Sequence, residues 1–184
     1  EPFLSFQWDA LLLESLFISL PFLPFVPHHR LNKTELPSKW ARILVLLLLA
    51  KLMIESGLVK FTFFDTDQSN AWIDYTALDF HYWTQPLPHP LSPLIHSLPP
   101  WFDSISLNAM YFIEIGLPFC FFLPLYFRRF ALAGQVLLQL AILFSGNYGF
   151  FNLLTLTLCI TLIDDGLIRH RDDLISIIEE LIRL

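Results

Sequence analysis

ARILVLLLLAKLMIESGLVKFTFF, residues Ala41–Phe64, is the stretch on which the fold turns. A helical crossing of the hydrocarbon core needs about 20 apolar residues, and the first half of this run holds LVLLLLA. Yet the run also carries Lys51, Glu55 and Lys60. A charge at bilayer depth costs at least about 2.5–3.5 kcal/mol. Either this is the buried core helix of a soluble domain, or it spans a membrane with its charges set against partners. The rest of the chain decides between the two.

Composition favours the membrane. The chain is 55% hydrophobic and only 15% charged, with 19 phenylalanines in 184 residues, against roughly 25% charged residues in soluble domains. The net charge of −6 points away from nucleic acid. Cys120 and Cys159 both lie in apolar runs and read as small buried hydrophobes. No cleavable leader is visible and the first residues already belong to a motif, so the chain reads as part of a longer protein.

Working outward, four more apolar runs appear. One precedes the opening stretch, at about residues 4–26. The others follow at about 106–127, 128–146 and 148–164, the last two divided by Ser145-Gly146-Asn147-Tyr148-Gly149. Gly and Asn are turn formers, so this pair reads as a tight hairpin of two short helices. The cations are sorted to match. Arg30, Lys33, Lys39 and Arg42 follow the first run, Arg128 and Arg129 lie between the third and fourth, and Arg169, Arg171 and Arg183 follow the fifth. Two crossings separate each cluster from the next, so all three fall on one side, which the positive-inside rule makes cytoplasmic. The Asn32-Lys33-Thr34 sequon falls on that same side and reads as chance.

The expected fold is therefore all-α: a polytopic integral membrane helical bundle of about five transmembrane helices over residues 1–165. A Pro/aromatic-rich non-cytoplasmic cap loop occupies 65–105, and residues 166–184 form an amphipathic cytoplasmic segment. The cap holds Asp65, Asp67, Asp74, Asp79 and Asp103 and no Lys or Arg. Its prolines, spaced by two from Pro86 to Pro90, favour extended or polyproline geometry. A short helix is expected at Pro90–Ser97. The cap's aromatic residues suit either an interfacial anchor belt or a working surface.

The candidate functional residues begin with the charges inside the spans. Lys51 and Glu55 stand at i,i+4 and face the same way, so they are expected to pair. Glu14 in the first run and Glu114 in the third complete an expected polar cluster with Lys51, Glu55 and Lys60. Such a cluster serves as a structural ion network or as a functional one. Lys60, near the end of its span, either snorkels to the interface or, if enclosed, becomes a candidate base. Gln135, Gln139, Asn147 and Asn152 read as interhelical hydrogen-bonding groups. No metalloprotease, nucleophile-elbow, phosphate-loop or paired-cysteine motif occurs, and His81, His89 and His96 lack metal-ligand spacing, so no metal and no cofactor is expected.

Several strings resemble the lipase maturation factor family: Phe6-Gln7-Trp8-Asp9, Glu55-Ser56-Gly57-Leu58-Val59-Lys60, TALDFHYWTQPLPHPLS at Thr76–Ser92, Leu98-Pro99-Pro100-Trp101, and GNYGFFNLLT at Gly146–Thr155 followed by Asp164-Asp165. They run in order over about residues 3–165. Trp83 stands where the family commonly has Glu. The resemblance implies polytopic membrane proteins that help newly made secreted lipases reach their active state, resident in the endoplasmic reticulum if eukaryotic and in the inner membrane if bacterial. It implies membrane lipid and a secreted lipase or other client as partners. It marks His81, Tyr82, Gln85, Pro86 and Pro88 as a cap motif and Asn147, Tyr148 and Asn152 as a hairpin motif. Animal members also carry a large C-terminal domain associated with lipase binding.

The family is in turn distantly similar to vitamin K-dependent gamma-glutamyl carboxylase, which places a Gly-x-x-Lys at the lumenal end of a span. Gly57-Leu58-Val59-Lys60 matches that pattern. The resemblance makes Lys60 a candidate catalytic base toward a lipid-soluble substrate such as a reduced quinone. Three functions stay open: maturation support from the non-cytoplasmic face, an intramembrane enzyme, and a structural or transport role for the ions. An enzyme should show a deep apolar pocket reaching Lys60, a chaperone an exposed apolar groove with Lys60 paired, and a transporter a continuous polar path.

Overall fold

The computed structural model describes residues 7–22, 39–62, 64–65, 67–85, 89–146 and 148–163. The amphipathic segment 166–184, Pro86, Pro88, Asn147 and the cations Arg30, Lys33, Arg169, Arg171 and Arg183 lie outside them. The described residues contain helices and turns and no strand. Gln7–Ser19 form α1, extended by a 3-10 turn, Leu20–Phe22. Lys39–Thr62 form α2. Ala77–Thr84 and Ser92–His96 form the short α3 and α4. Pro100–Tyr111 form α5, which runs on through a π turn, Phe112–Gly116, and a 3-10 segment, Leu117–Phe122. Leu125–Ser145 form α6, and Phe150–Cys159 form α7 with a closing 3-10 turn, Ile160–Leu162.

Local chemistry sets these boundaries. Pro100 opens α5 where its missing N–H leaves nothing unbonded, and Asp103 in the first turn suits the positive end of the helix. Leu123 and Pro124 are extended and divide the α5 helix from α6. Gly149, at φ 63°, takes the left-handed turn that admits α7. In α2, Val45, Leu49 and Met53 recur every four residues and pack with Ile113, Leu117 and Phe121 of the α5 helix, Ala131 and Leu138 of α6, and Leu158 and Leu162 of α7. Leu11 brings α1 onto this core. A second, smaller core joins Leu78 and Tyr82 of α3 to Leu107 of α5, with Trp72 and Ile95 against it.

The bundle has two chemically different ends. Near the start of α2, Arg42 donates to the carbonyls of Thr161 at 3.1 Å and Ile163 at 3.2 Å, so the end of α7 lies beside it. Lys39, Arg42, Arg128 and Arg129 all belong to this end. At the opposite end Ser92, at the start of α4, donates to the Ser145 carbonyl at the close of α6. Lys60, α3, α4 and the turn into α7 gather there.

Among the described residues, two helices are long and apolar enough to cross a membrane: Pro100–Phe122 and Leu125–Ser145. The first begins six residues ahead of the expected third span and ends five short of it, because Pro100 starts it and Pro124 stops it. The second shows that the expected hairpin is not built of two short helices. Its first arm has 21 residues, and only the second, Phe150–Leu162, is short. α2 has the length, at 24 residues, and carries Lys51, Glu55 and Lys60 in addition to Lys39 and Arg42 in its first turn. Between α2 and α5 the expected short helix is present as α4, and α3, which was not expected, forms at Ala77–Thr84.

Candidate functional site

The site starts from a glycine. A methyl group added at Gly57 would lie 2.5 Å from Ile115 Cγ1 and 3.2 Å from Glu114 Cβ. Only a residue without a side chain lets α2 approach the π turn of the α5 helix this closely. One turn later on α2, Lys60 Nζ donates to Glu114 Oε2 at 2.6 Å and to the Ser56 carbonyl at 2.7 Å. Both side chains are enclosed, with 13% of Lys60 and 6% of Glu114 exposed. The π turn that carries Glu114 is a geometry found often at functional sites. It is braced from α6, where Gln135 Nε2 donates 3.0 Å to the Ile113 carbonyl.

A roof closes over the pair. Asn70 Nδ2 donates to the Lys60 carbonyl at 2.9 Å, while its Oδ1 accepts from the backbone of Trp72 and Ile73. That clamp sets the Trp72 ring 5.3 Å from Lys60 Nζ, within cation–π range. Tyr111 holds the same turn by donating to the Trp72 carbonyl at 3.0 Å, and its ring stacks on Phe61. His81 of α3 stands edge-on to Trp72 and beside Tyr148. Burial, and then the positive charge of Lys60, push the His81 pKa down to about 4, so the ring is neutral at physiological pH. Tyr82 donates 3.3 Å to Asp103, and burial together with that carboxylate pushes its phenol well above the usual range.

Below the roof lies a cavity of about 560 Å³, bounded by α2, α3, α5, α6 and α7. Its walls are mainly Leu, Ile, Met and Phe, and Lys60, Glu114, His81 and Tyr148 gather in one region of them. On α6 and α7, Asn152 Nδ2 donates to Gln139 Oε1 at 2.9 Å, and Asn152 Oδ1 accepts from the Tyr148 backbone at 3.1 Å. The hairpin-motif residues Tyr148 and Asn152 thus belong to the cavity. Of the cap motif, His81 and Tyr82 line it. Gln85 bonds His81 and packs against Gly146, which ties α3 to the end of α6.

The expected single polar cluster is instead two separate ion pairs. Lys51 does not pair along its own helix with Glu55. Its Nζ reaches across to Glu14 Oε1 of α1 at 2.7 Å. This pair is open, with 48% and 42% of the side chains exposed, and lines a second recess between α1 and α2 together with Glu55. The separation follows from helical geometry: Lys51 and Glu55 share a face of α2, whereas Ser56 and Lys60 point to another. Among the described residues no group of three His, Cys, Asp or Glu could hold a metal ion. Sequence reasoning missed Asn70 and the π turn, whereas Gln135 makes the interhelical hydrogen bond expected of it. Asn70 follows a turn-forming Asp-Gln-Ser run, which is the signal that could have found it.

Residues 1–170 match the model of the lipase maturation factor transmembrane domain. The chain belongs to the lipase maturation factor family. It is 46% identical over 172 residues to lipase maturation factor 2 of Xenopus tropicalis, covering 90% of this chain and 23% of that protein. Against Homo sapiens lipase maturation factor 2 the identity is 44% over 180 residues, covering 90% and 24%. Mus musculus lipase maturation factor 1 is 32% identical over 162 residues, covering 88% and 27%. The chain thus spans about a quarter of the length of the curated relatives it matches. No solved structure matches. The matched family domain is a transmembrane one, and this lipase maturation factor domain is an integral membrane protein.

Proposed function

We propose that this chain is the membrane-embedded part of a maturation factor for secreted proteins, lipases among them. In this reading it crosses the membrane five times and works at the end that carries Lys60, α3 and α4, facing the lumen of the endoplasmic reticulum in a eukaryotic cell. The observation that carries the reading is the likeness to lipase maturation factors 1 and 2 along the whole domain. Lys39, Arg42, Arg128 and Arg129 at the opposite end support its orientation, since basic residues stay on the cytoplasmic side. The test is expression of the full-length protein carrying this domain in animal cells stripped of lipase maturation factors, with a secreted lipase as reporter. Restored lipase activity in the medium supports the reading. Activity at the stripped-cell level, with the protein correctly inserted, overturns it.

The cavity reaching Lys60 favours a second reading, an intramembrane enzyme with Lys60 as base toward a lipid-soluble substrate such as a reduced quinone. The Glu114 carboxylate against Lys60 Nζ weighs the other way, because the lysine already has a partner. The double variant Lys60→Met/Glu114→Leu leaves no charge unpaired. If lipase maturation persists in that variant, Lys60 is not its catalyst.

A further inference from the structure

The two helices most suited to the bilayer, Pro100–Phe122 and Leu125–Ser145, meet along only part of their lengths. α6 packs on the π turn and the 3-10 segment, residues 112–122. The first turns of α5 instead contribute Leu107 to the small core under α3 and α4. The helices therefore diverge toward the Lys60 end, and the 560 Å³ cavity occupies the space between them. Six residues that line this cavity are also exposed, Val59, Ala109, Leu137, Ala141, Phe144 and Tyr148, and four of them, Ala109 on α5 and Leu137, Ala141 and Phe144 on α6, flank the gap between these two helices. Ser106, Ala109 and Ala141 put only small side chains along this part of the wall. The cavity thus opens sideways, through the flank that would touch lipid.

The inner end of the opening has a definite chemistry. Lys60 and Glu114 neutralise one another, the His81 ring carries no charge at physiological pH, and the hydroxyl-bearing Tyr148 and Thr155 stand nearby. Such a floor offers hydrogen bonds without net charge, beneath walls that are otherwise hydrocarbon. Protein interiors are packed to crystal density, and a cavity of this size matches small-molecule sites of about 300–1,000 Å³. From this geometry we infer that the slot between α5 and α6 is the lateral entrance of a lipid site, taking from the bilayer a single-chain amphiphile whose head is uncharged and bears hydroxyl or carbonyl oxygens. The chain lies between Met110, Ile113 and Ile142, and the head reaches the Lys60–Glu114 pair. The site stands apart from the maturation reading, since a bound lipid is detected whether or not any client matures.

The test uses the full-length protein in nanodiscs, with a diazirine-tagged monoacylglycerol as probe and an equally tagged fatty acid for comparison. Expected is crosslinking of the monoacylglycerol to cavity residues of α5 and α6, competed by unlabelled monoacylglycerol. The crosslink is lost in Ala109→Trp and in Ala141→Trp, which plug the slot, and kept in Ala133→Trp, which adds the same bulk on an exposed face away from the cavity. Phe144→Ala widens the entrance without added bulk, so it raises labelling even if a tryptophan variant misfolds. Uncompeted labelling spread over outward faces and equal in all variants overturns the site. Stronger capture of the fatty acid than of the monoacylglycerol overturns the uncharged head.

Discussion

Lys51 and Lys60 sit on the same helix, each bonded to a glutamate of another helix, yet the two ion pairs are built for different work. Lys51–Glu14 is open on both sides and joins α1 to the outside of the bundle. Lys60–Glu114 is enclosed, roofed by Trp72, floored by a cavity, and held against a π turn that Gln135 braces. Distance does not separate them, since 2.7 Å and 2.6 Å are alike. Surroundings do. An exposed pair is worth about 0–1 kcal/mol, whereas removing one partner of a buried pair costs about 3–5 kcal/mol because the other charge is left stranded. Evenly spread charges on a sequence therefore say little about which one matters.

The sharpest way to break this contrast is at Glu114. Glu114→Ala strands Lys60 and is expected to lower stability by about 3–5 kcal/mol, read from thermal unfolding in detergent. Adding Lys60→Met to Glu114→Leu should recover most of the loss. If Glu114→Ala melts like the wild type, the enclosed pair is no different from the open one.

The next largest effect is a pH dependence seated at the enclosed pair through His81. Its folded pKa of about 4 lies below the ordinary value of 6.5. Below pH 6.5 the unfolded chain takes up a proton that the folded chain refuses. Stability is thus whole above pH 6.5 and declines by up to about 3 kcal/mol as the pH falls toward 4. Melting curves across that window should flatten in His81→Phe. An unchanged slope in the variant removes His81 as the cause.

Gly57→Ala tests the contact that brings Lys60 to Glu114. The added methyl must displace Ile115, at about 1–3 kcal/mol. A neutral result would mean that the helices have slack there. Smallest of all is Lys51→Leu, which leaves Glu14 unpaired on an open surface and should shift stability by about 1 kcal/mol or less. A loss as large as that of Glu114→Ala would erase the distinction between the pairs.

What could be read from residues alone follows the reach of each interaction. The helical run of α2, the turn near Gly146 and the short helix around Ser92 are local, and propensity finds them. The Gly57–Lys60 string singled out a lysine that is enclosed in the fold, but not why the glycine is needed, since Ile115 and Glu114 arrive from a distant segment. The i,i+4 rule paired Lys51 with Glu55, correct for an isolated helix, whereas α1 supplies a carboxylate that Lys51 meets instead. α3 was hidden because Asp79-Phe80-His81-Tyr82-Trp83 is rich in aromatics of weak helix propensity and lies just ahead of prolines. It forms because Leu78 and Tyr82, one turn apart, find Leu107. A π turn leaves no mark that residue types alone reveal.

Leu123 and Pro124 are all that join the two longest apolar helices. So short a link acts as the pivot of a pair of compasses. Sliding of one leg along the other is blocked, so the register in which the two helices pack is set there. At the far end the legs are strapped together: Ser145 of α6 accepts from Ser92, Gln85 packs on Gly146, and Leu107 of α5 packs under α3. The width of the doorway is thus set by a short joint at the basic end and by the strap of α3 and α4 at the other.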